Sequence, residues 1–459
     1  MTRSVDIAAL PPVPDSPLPY RRRLNAIRAY STGAEVLRDA GGSVTRCWLA
    51  PRWVMPPVAV VTSPQGARDV LGRTDGRIEK ALPIYDELRR VIGGNVFVFR
   101  QAAWLPRRRA LQPVFTKHHV TQFSGHMAAA AEQMCLRWPD NYEIDLAAEC
   151  RKLTLRALGH SVLGVDLGDR AAAVEHAIGS ALKYCADRAW RPLRAPSWLP
   201  TPARRRARKA NLEVHRLAAE ILRTCRADPT VDAPLVRTLI GAVDPDSGKM
   251  LSDKEICDEL VLFILAGHDT TSTTLTYAFW ALGRHPEIQE RVAAEVAALG
   301  QHPLTPADVA QLPYTVQVLN ESLRLCPPGA SNPRMVMADV DIDGYRVESG
   351  TVAMVGIYAM HRDPALWDNA LQFDPDRFSP QNSKGRDRWQ FLPFGGGPRS
   401  CMGDHFAMLE ATLALATTIR ELEISSLSEE FPLALPFTMV AEGPIRARVQ
   451  RRSTAKTSS

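Results

Sequence analysis

The chain has no stretch able to cross a membrane. Its longest uninterrupted apolar run, Leu260 to Ala266, falls far short of the ~20 residues a spanning helix needs. Met1 to Pro19 holds prolines at 11, 12, 14, 17 and 19 and no sustained apolar segment, which excludes a secretory leader. No internal repeat or long low-complexity run is present. Eight cysteines (Cys47, Cys135, Cys150, Cys185, Cys225, Cys257, Cys326, Cys401) form no CxxC pair and no zinc-like spacing, so all but Cys401 read as dispersed reduced thiols of a cytoplasmic protein. Charge of one sign is not dominant either: net +6 and pI ≈ 8.9 are mildly basic. The arginines are not interleaved with aromatics, so nucleic acid is a poor partner and an acidic protein a better one. A prior of ~150 residues per domain suggests about three domains, but large single-core folds break that rule. The expectation is one domain over 1–459, with a Pro-rich extension at 1–25 and a disordered tail at 451–459.

What is present centres on Phe394-Gly395-Gly396-Gly397-Pro398-Arg399-Ser400-Cys401-Met402-Gly403. Good helix formers follow at once, and Phe406, Leu409, Leu413 and Thr417 share one face of a helix over 404–420. Cys401 therefore sits at or just before a helix N-terminus, where backbone N–H groups favour a negative sulfur. Flanking glycines let the backbone approach a large flat ligand that a Cβ would strike. Phe394 can cover the sulfur, and Arg399 offers a cation. The bland reading is a turn with a small buried thiol.

The pattern Phe-Gly-x-Gly-x-Arg-x-Cys-x-Gly resembles the haem-thiolate signature of the cytochrome P450 family. That resemblance implies a mainly α fold with a small β region: a triangular helical prism with one long central helix over the haem. It also implies haem b with Cys401 as axial thiolate on the iron, with Phe394, Gly395, Arg399 and Gly403 around it.

Other segments agree. Ser252 to Glu255 is a capping box opening a long helix that should run to about Arg284, stopped by His285-Pro286. Inside it lies Ala266-Gly267-His268-Asp269-Thr270. A mid-helix glycine costs roughly 1 kcal/mol against alanine, and Thr270 can bond back to the Ala266 carbonyl. The small pair Ala266-Gly267 leaves room for a ligand, with Asp269 and Thr270 as acid and hydroxyl beside it. This resembles the family's Ala-Gly-x-Asp/Glu-Thr, which implies proton delivery to dioxygen; a plain packing notch competes with it. Trp104 and Arg108 are four apart on one helix face, with Pro106 taken as part of a first turn. They resemble the family's WxxxR, which holds a haem propionate, and Arg334 resembles a second propionate arginine. Arg107 to Arg109 fit a docking face for an electron donor, or a merely solvated one. Glu321 and Arg324 resemble the family's ExxR, and Arg377 its PxRF arginine; together they imply a buried structural triad. His268 has no assigned role.

The resemblance implies a monooxygenase that inserts one atom of O2 into a C–H or C=C bond of a lipophilic molecule, whether fatty acid, terpenoid, steroid or polyketide. No flavin or ferredoxin domain is fused, so the electrons are expected from a separate ferredoxin and its NAD(P)H-dependent reductase. The protein is expected to be a monomer. Alternatives are a peroxide-using or O2-independent enzyme of the same fold, and a haem-based sensor or electron carrier. Expected pocket walls are a loop with Ile84, Tyr85 and Phe97, then Trp190 to Pro200, Phe263, Ala266, Ala330 to Asn332 (Ser331 included), and Phe437 to Val440 (Thr438 included). The apolar loop 190–200 precedes the cluster Arg204 to Lys209 and allows at most peripheral membrane contact.

Overall fold

The computed structural model of the chain describes residues 6–29, 32–189, 199, 201–243, 248–435 and 438–452. The expected walls at Trp190–Trp198, Pro200 and Phe437 lie outside the described residues. Helices dominate. The longest runs Asp253–Leu282, opened by a reciprocal capping box in which the Ser252 amide donates to Glu255 at 2.9 Å and the Glu255 amide donates to Ser252 at 3.4 Å. Thirty residues give it a length of about 45 Å, enough to pass through the whole core. Leu146–Leu158, Pro202–Ala227, Pro313–Leu325 and Asp404–Glu421 pack against it.

The β region comprises small sheets. In a five-stranded sheet Val58–Val61 pairs antiparallel with Val44–Cys47 and parallel with Val352–Val355, and Asn332–Val336 and Ile78–Glu79 complete it. Val58 to Val61 are buried on both faces, as a continuous apolar run requires in a central strand. The Arg334↔Ala353 register points the buried Arg334 inward. Ser63 caps the helix Pro64–Leu71 by accepting from the Gly66 amide at 3.1 Å. No helix among the described residues is long and apolar enough to cross a membrane.

Two helix expectations are corrected. Ile84 and Tyr85 lie in a helix, Pro83–Ile92, and not in a loop; Pro83 at its first position is already set for helical φ, and the loop begins only at Gly93. The helix carrying Trp104 starts at Gln101, which puts Pro106 in its interior. The missing amide there costs one ladder bond to the Ala102 carbonyl, a group on an exposed residue that water can serve. The N-terminal extension is engaged with the fold: Pro12 and Asp15 bridge to Arg346 and Arg46, Val13 is buried, and the helix Tyr20–Arg28 begins within it. At the other end Arg451 closes the strand Arg446–Arg451, and Arg452 pairs with Glu290.

Candidate active site

The cysteine loop is closed by two backbone bonds, Gly395 N–H to Leu392 O at 3.0 Å and Cys401 N–H to Phe394 O at 2.8 Å. Its glycines divide by purpose. Gly395 and Gly397 have φ of +72° and +70°, which favour glycine. A Cβ on Gly397 would lie 2.0 Å from the Leu71 carbonyl oxygen, and one on Gly396 would lie 2.6 Å from the Trp389 ring. These two therefore serve protein packing, while Gly395 and Gly403 face the cavity. Cys401 stands three residues before the helix Asp404–Glu421. It is the single exposed cysteine among eight, and the space it faces is an interior cavity of about 370 Å³. Enclosure pushes its thiol up, opposed by the Gly403 amide and the Arg108 guanidinium, while Asp404 adds to the rise.

The cavity gathers nearly every expected site residue: Trp104, Arg108, Ala266, Gly267, Thr270, Phe394, Arg399 and Cys401 line it, as do the six expected wall residues Tyr85, Phe97, Phe263, Ala266, Ser331 and Thr438. The Ala266-Gly267 pair does two things. Ala266 is exposed to the cavity, whereas a Cβ on Gly267 would meet Leu158 at 2.8 Å, so the missing side chain there lets the neighbouring helix in. Thr270 donates to the Ala266 carbonyl at 2.7 Å. Its hydroxyl proton is spent on the helix, and its lone pairs remain to accept. Asp269 accepts from Thr438 at 2.5 Å.

Cations collect at one end. Arg399 donates to the Phe99 carbonyl at 2.8 Å and stacks over Trp104 at 4.5 Å, and Arg108 donates to the Ser400 carbonyl at 2.8 Å. Arg334 is buried and donates to Asn332 at 2.7 Å. Lys80, which no local motif singles out, joins them: it is buried, lines the cavity, donates to the Phe97 carbonyl at 3.0 Å and lies 3.8 Å over the Phe97 ring. Burial and the neighbouring Arg334 and Arg399 hold the ammonium well below its ordinary value. Burial and Arg334 likewise bring Arg399 down to about 10. Mutually repelling cations at one end of a cavity, with a lone sulfur in its wall, fit a flat ligand that carries two carboxylates and a thiolate-seeking metal.

The arginine triplet does not form a common surface. Arg107 is turned inward onto Glu259 at 3.1 Å and Glu255 at 3.4 Å, Arg108 is committed to Ser400, and Arg109 is the exposed one. Burial pushes Glu259 up to about 8 against the pull of Arg107 and the Val96 amide, which it accepts at 3.0 Å. Through that bond the long helix holds the 93–99 loop over the cavity.

Glu321, Arg324 and Arg377 meet away from the cavity wall. Arg324 and Glu321 are fully buried and joined by two bonds of 2.7 Å, and Arg377 reaches Glu321 at 3.3 Å. Arg324 also donates to the carbonyls of His361, Ala370 and Gln372 at 2.7, 2.6 and 3.1 Å. His268, left without a role, is buried with neither ring nitrogen hydrogen-bonded among the described residues.

A cysteine loop beneath an enclosed cavity, with a small-residue step on a long helix in its wall, defines a haem-thiolate protein, and the comparisons agree. The family model for cytochrome P450 matches residues 32–449, so the chain belongs to the cytochrome P450 family; it is an oxidoreductase whose cofactor is haem iron ligated by a cysteine thiolate. Cyclooctatin synthase of Streptomyces melanosporofaciens is 31% identical over 381 residues, covering 82% of each chain. Pentalenene oxygenase of Streptomyces avermitilis is 31% identical over 365 residues, covering 79% of this chain and 80% of its own. The haem domain of cytochrome P450DA superposes with a TM-score of 0.83 at 24% identity, covering 96% of this chain and 98% of that one, a likeness of fold.

Proposed function

We propose that this P450 monooxygenase hydroxylates or epoxidises a compact lipophilic molecule of the terpenoid type, with electrons from a separate small acidic iron–sulfur protein and its reductase. The observation that carries the reading is the make-up of the cavity: a cluster of cations, and apolar walls from Ile84, Leu88, Leu182, Phe263 and Ala266. Such walls can grip a hydrocarbon by area alone. The relatives named for cyclooctatin and pentalenene support the terpenoid class.

Cys401 is the thiolate ligand in this reading. Arg108, Arg334, Arg399 and Trp104 hold the propionates, joined by Lys80. The haem, when bound, supplies the activation of dioxygen. The residues do the rest. Ala266 keeps the cavity open beside the long helix, and the apolar walls exclude water. Thr270 would accept a hydrogen bond in the cavity while its own proton rests on the Ala266 carbonyl, and Asp269 would exchange protons beside it. Glu321, Arg324 and Arg377 brace the structure. Arg109 marks the face for the electron donor.

Spin-state titration of the ferric protein with cyclic sesquiterpene and diterpene hydrocarbons, against fatty acids and steroids of equal carbon number, tests the substrate class. The terpenes should bind at least tenfold tighter, and a preference for fatty acids would overturn the reading. Turnover with a ferredoxin and reductase under ¹⁸O2 should place one labelled atom in the product. Unlabelled product would refute the monooxygenase chemistry.

A further inference from the structure

Asp269 and Thr438 lie 169 residues apart, yet the Thr438 hydroxyl donates to Asp269 Oδ2 at 2.5 Å in a partly buried contact. Among the described residues no cation lies within ion-pair distance of Asp269, and no second donor reaches its carboxylate. Thr438 stands two residues before the strand Val440–Ala441, where the Met439 amide donates to the Pro328 carbonyl at 2.9 Å. Thr438 also lines the cavity. We propose that Thr438 is a positioning residue: its hydroxyl latches the Asp269 carboxylate to the substrate-facing segment and fixes the orientation from which that acid serves the site.

The chemistry supports a latch over a simple wall contact. A carboxylate has two oxygens; engaging Oδ2 leaves Oδ1 to accept from water or from a cavity donor and stops the side chain from rotating about its terminal torsion. A hydroxyl has one proton to give, and here it is given to Asp269. Valine matches the shape of threonine and fills the same wall, but cannot donate. Serine can donate, but lacks the methyl of threonine. The two replacements therefore separate the hydrogen bond from the surface.

The proposal rests on Asp269 acting as a proton donor, and the test keeps the two claims apart. Isotope-edited infrared spectra of the ferrous–carbon monoxide holoprotein labelled with [¹³C]aspartate should show the Asp269 carboxylate band, identified by its loss in Asp269→Asn. In Thr438→Val that band should shift to higher frequency, as a carboxylate released from a donor does, and in Thr438→Ser it should return. In the same Val variant the product formed per NAD(P)H should fall about three- to tenfold, the scale of one lost hydrogen bond, with the ligand Kd from spin-state titration held within about twofold. The Ser variant should regain the coupling. A band unmoved in Thr438→Val, or moved equally in Thr438→Ser, overturns the latch, as does a loss of affinity with coupling intact. If Asp269→Asn itself leaves coupling unchanged, the proton-donor reading fails, and the infrared band alone then judges the latch.

Discussion

Replacing Glu321 with Gln is isosteric and removes a single charge from a fully buried site. The carboxylate accepts four bonds: two from Arg324 at 2.7 Å, one from the Asp374 amide at 2.9 Å and one from Arg377 at 3.3 Å. An amide in its place turns an NH2 group towards donors, strips Arg324 of its counter-charge and leaves Arg377 with only the more distant Asp374 at 3.9 Å. Arg324 cannot move to solvent, because it is fully buried and holds three backbone carbonyls. Breaking one partner out of a buried ion pair costs about 3–5 kcal/mol, a large share of the ~5–15 kcal/mol by which a protein is usually stable. Urea unfolding followed by tryptophan fluorescence and by Soret dichroism should show that loss, and the haem-loaded yield should fall with it. A cost below about 1 kcal/mol, the worth of an exposed pair, would refute the claim that these charges are desolvated and mutually dependent.

Thr270→Ala should retain haem and ligand affinity while diverting electrons to hydrogen peroxide, read as peroxide formed per NAD(P)H; unchanged coupling would remove Thr270 from the proton path. Gly397→Ala forces a Cβ to 2.0 Å from a backbone oxygen at φ +70°, so soluble holoprotein should nearly vanish, whereas Gly125→Ala, in open space, should be silent. Glu259, raised by burial to about 8, binds its proton more tightly folded than unfolded. Its contribution is therefore fully present below the unfolded value near 4.5 and is lost as pH rises through about 8, a slope of up to a few kcal/mol in total. Melting temperature should decline over that window, and Glu259→Gln should flatten the decline.

The parts of the site that were legible in the sequence are those built from neighbours along the chain. The cysteine loop, the Ser252–Glu255 cap and the bond from Thr270 back to Ala266 each carry their geometry in a few consecutive residues, and the cap and the back-bond are formed as expected. Residues joined only by tertiary packing were not legible. Lys80 follows a two-residue strand and looks like any surface lysine until Arg334 and Arg399, from distant segments, close around it. Arg107 reads as one of three equivalent arginines, and only the long helix behind it distinguishes it. Gly267 was read as room for a ligand because its filler, Leu158, is more than a hundred positions away. Local propensity also erred at Ile84 and Tyr85, where the two glycines that follow outweighed the helix-starting Pro83.

The carbon monoxide difference spectrum of the dithionite-reduced holoprotein tests the central claim, that Cys401 ligates the haem as a thiolate. The wild type should show a strongly red-shifted Soret band, lost in Cys401→Ser. A band at the position of thiol- or histidine-ligated haem in the wild type, or a thiolate-type band persisting in Cys401→Ser, would contradict it.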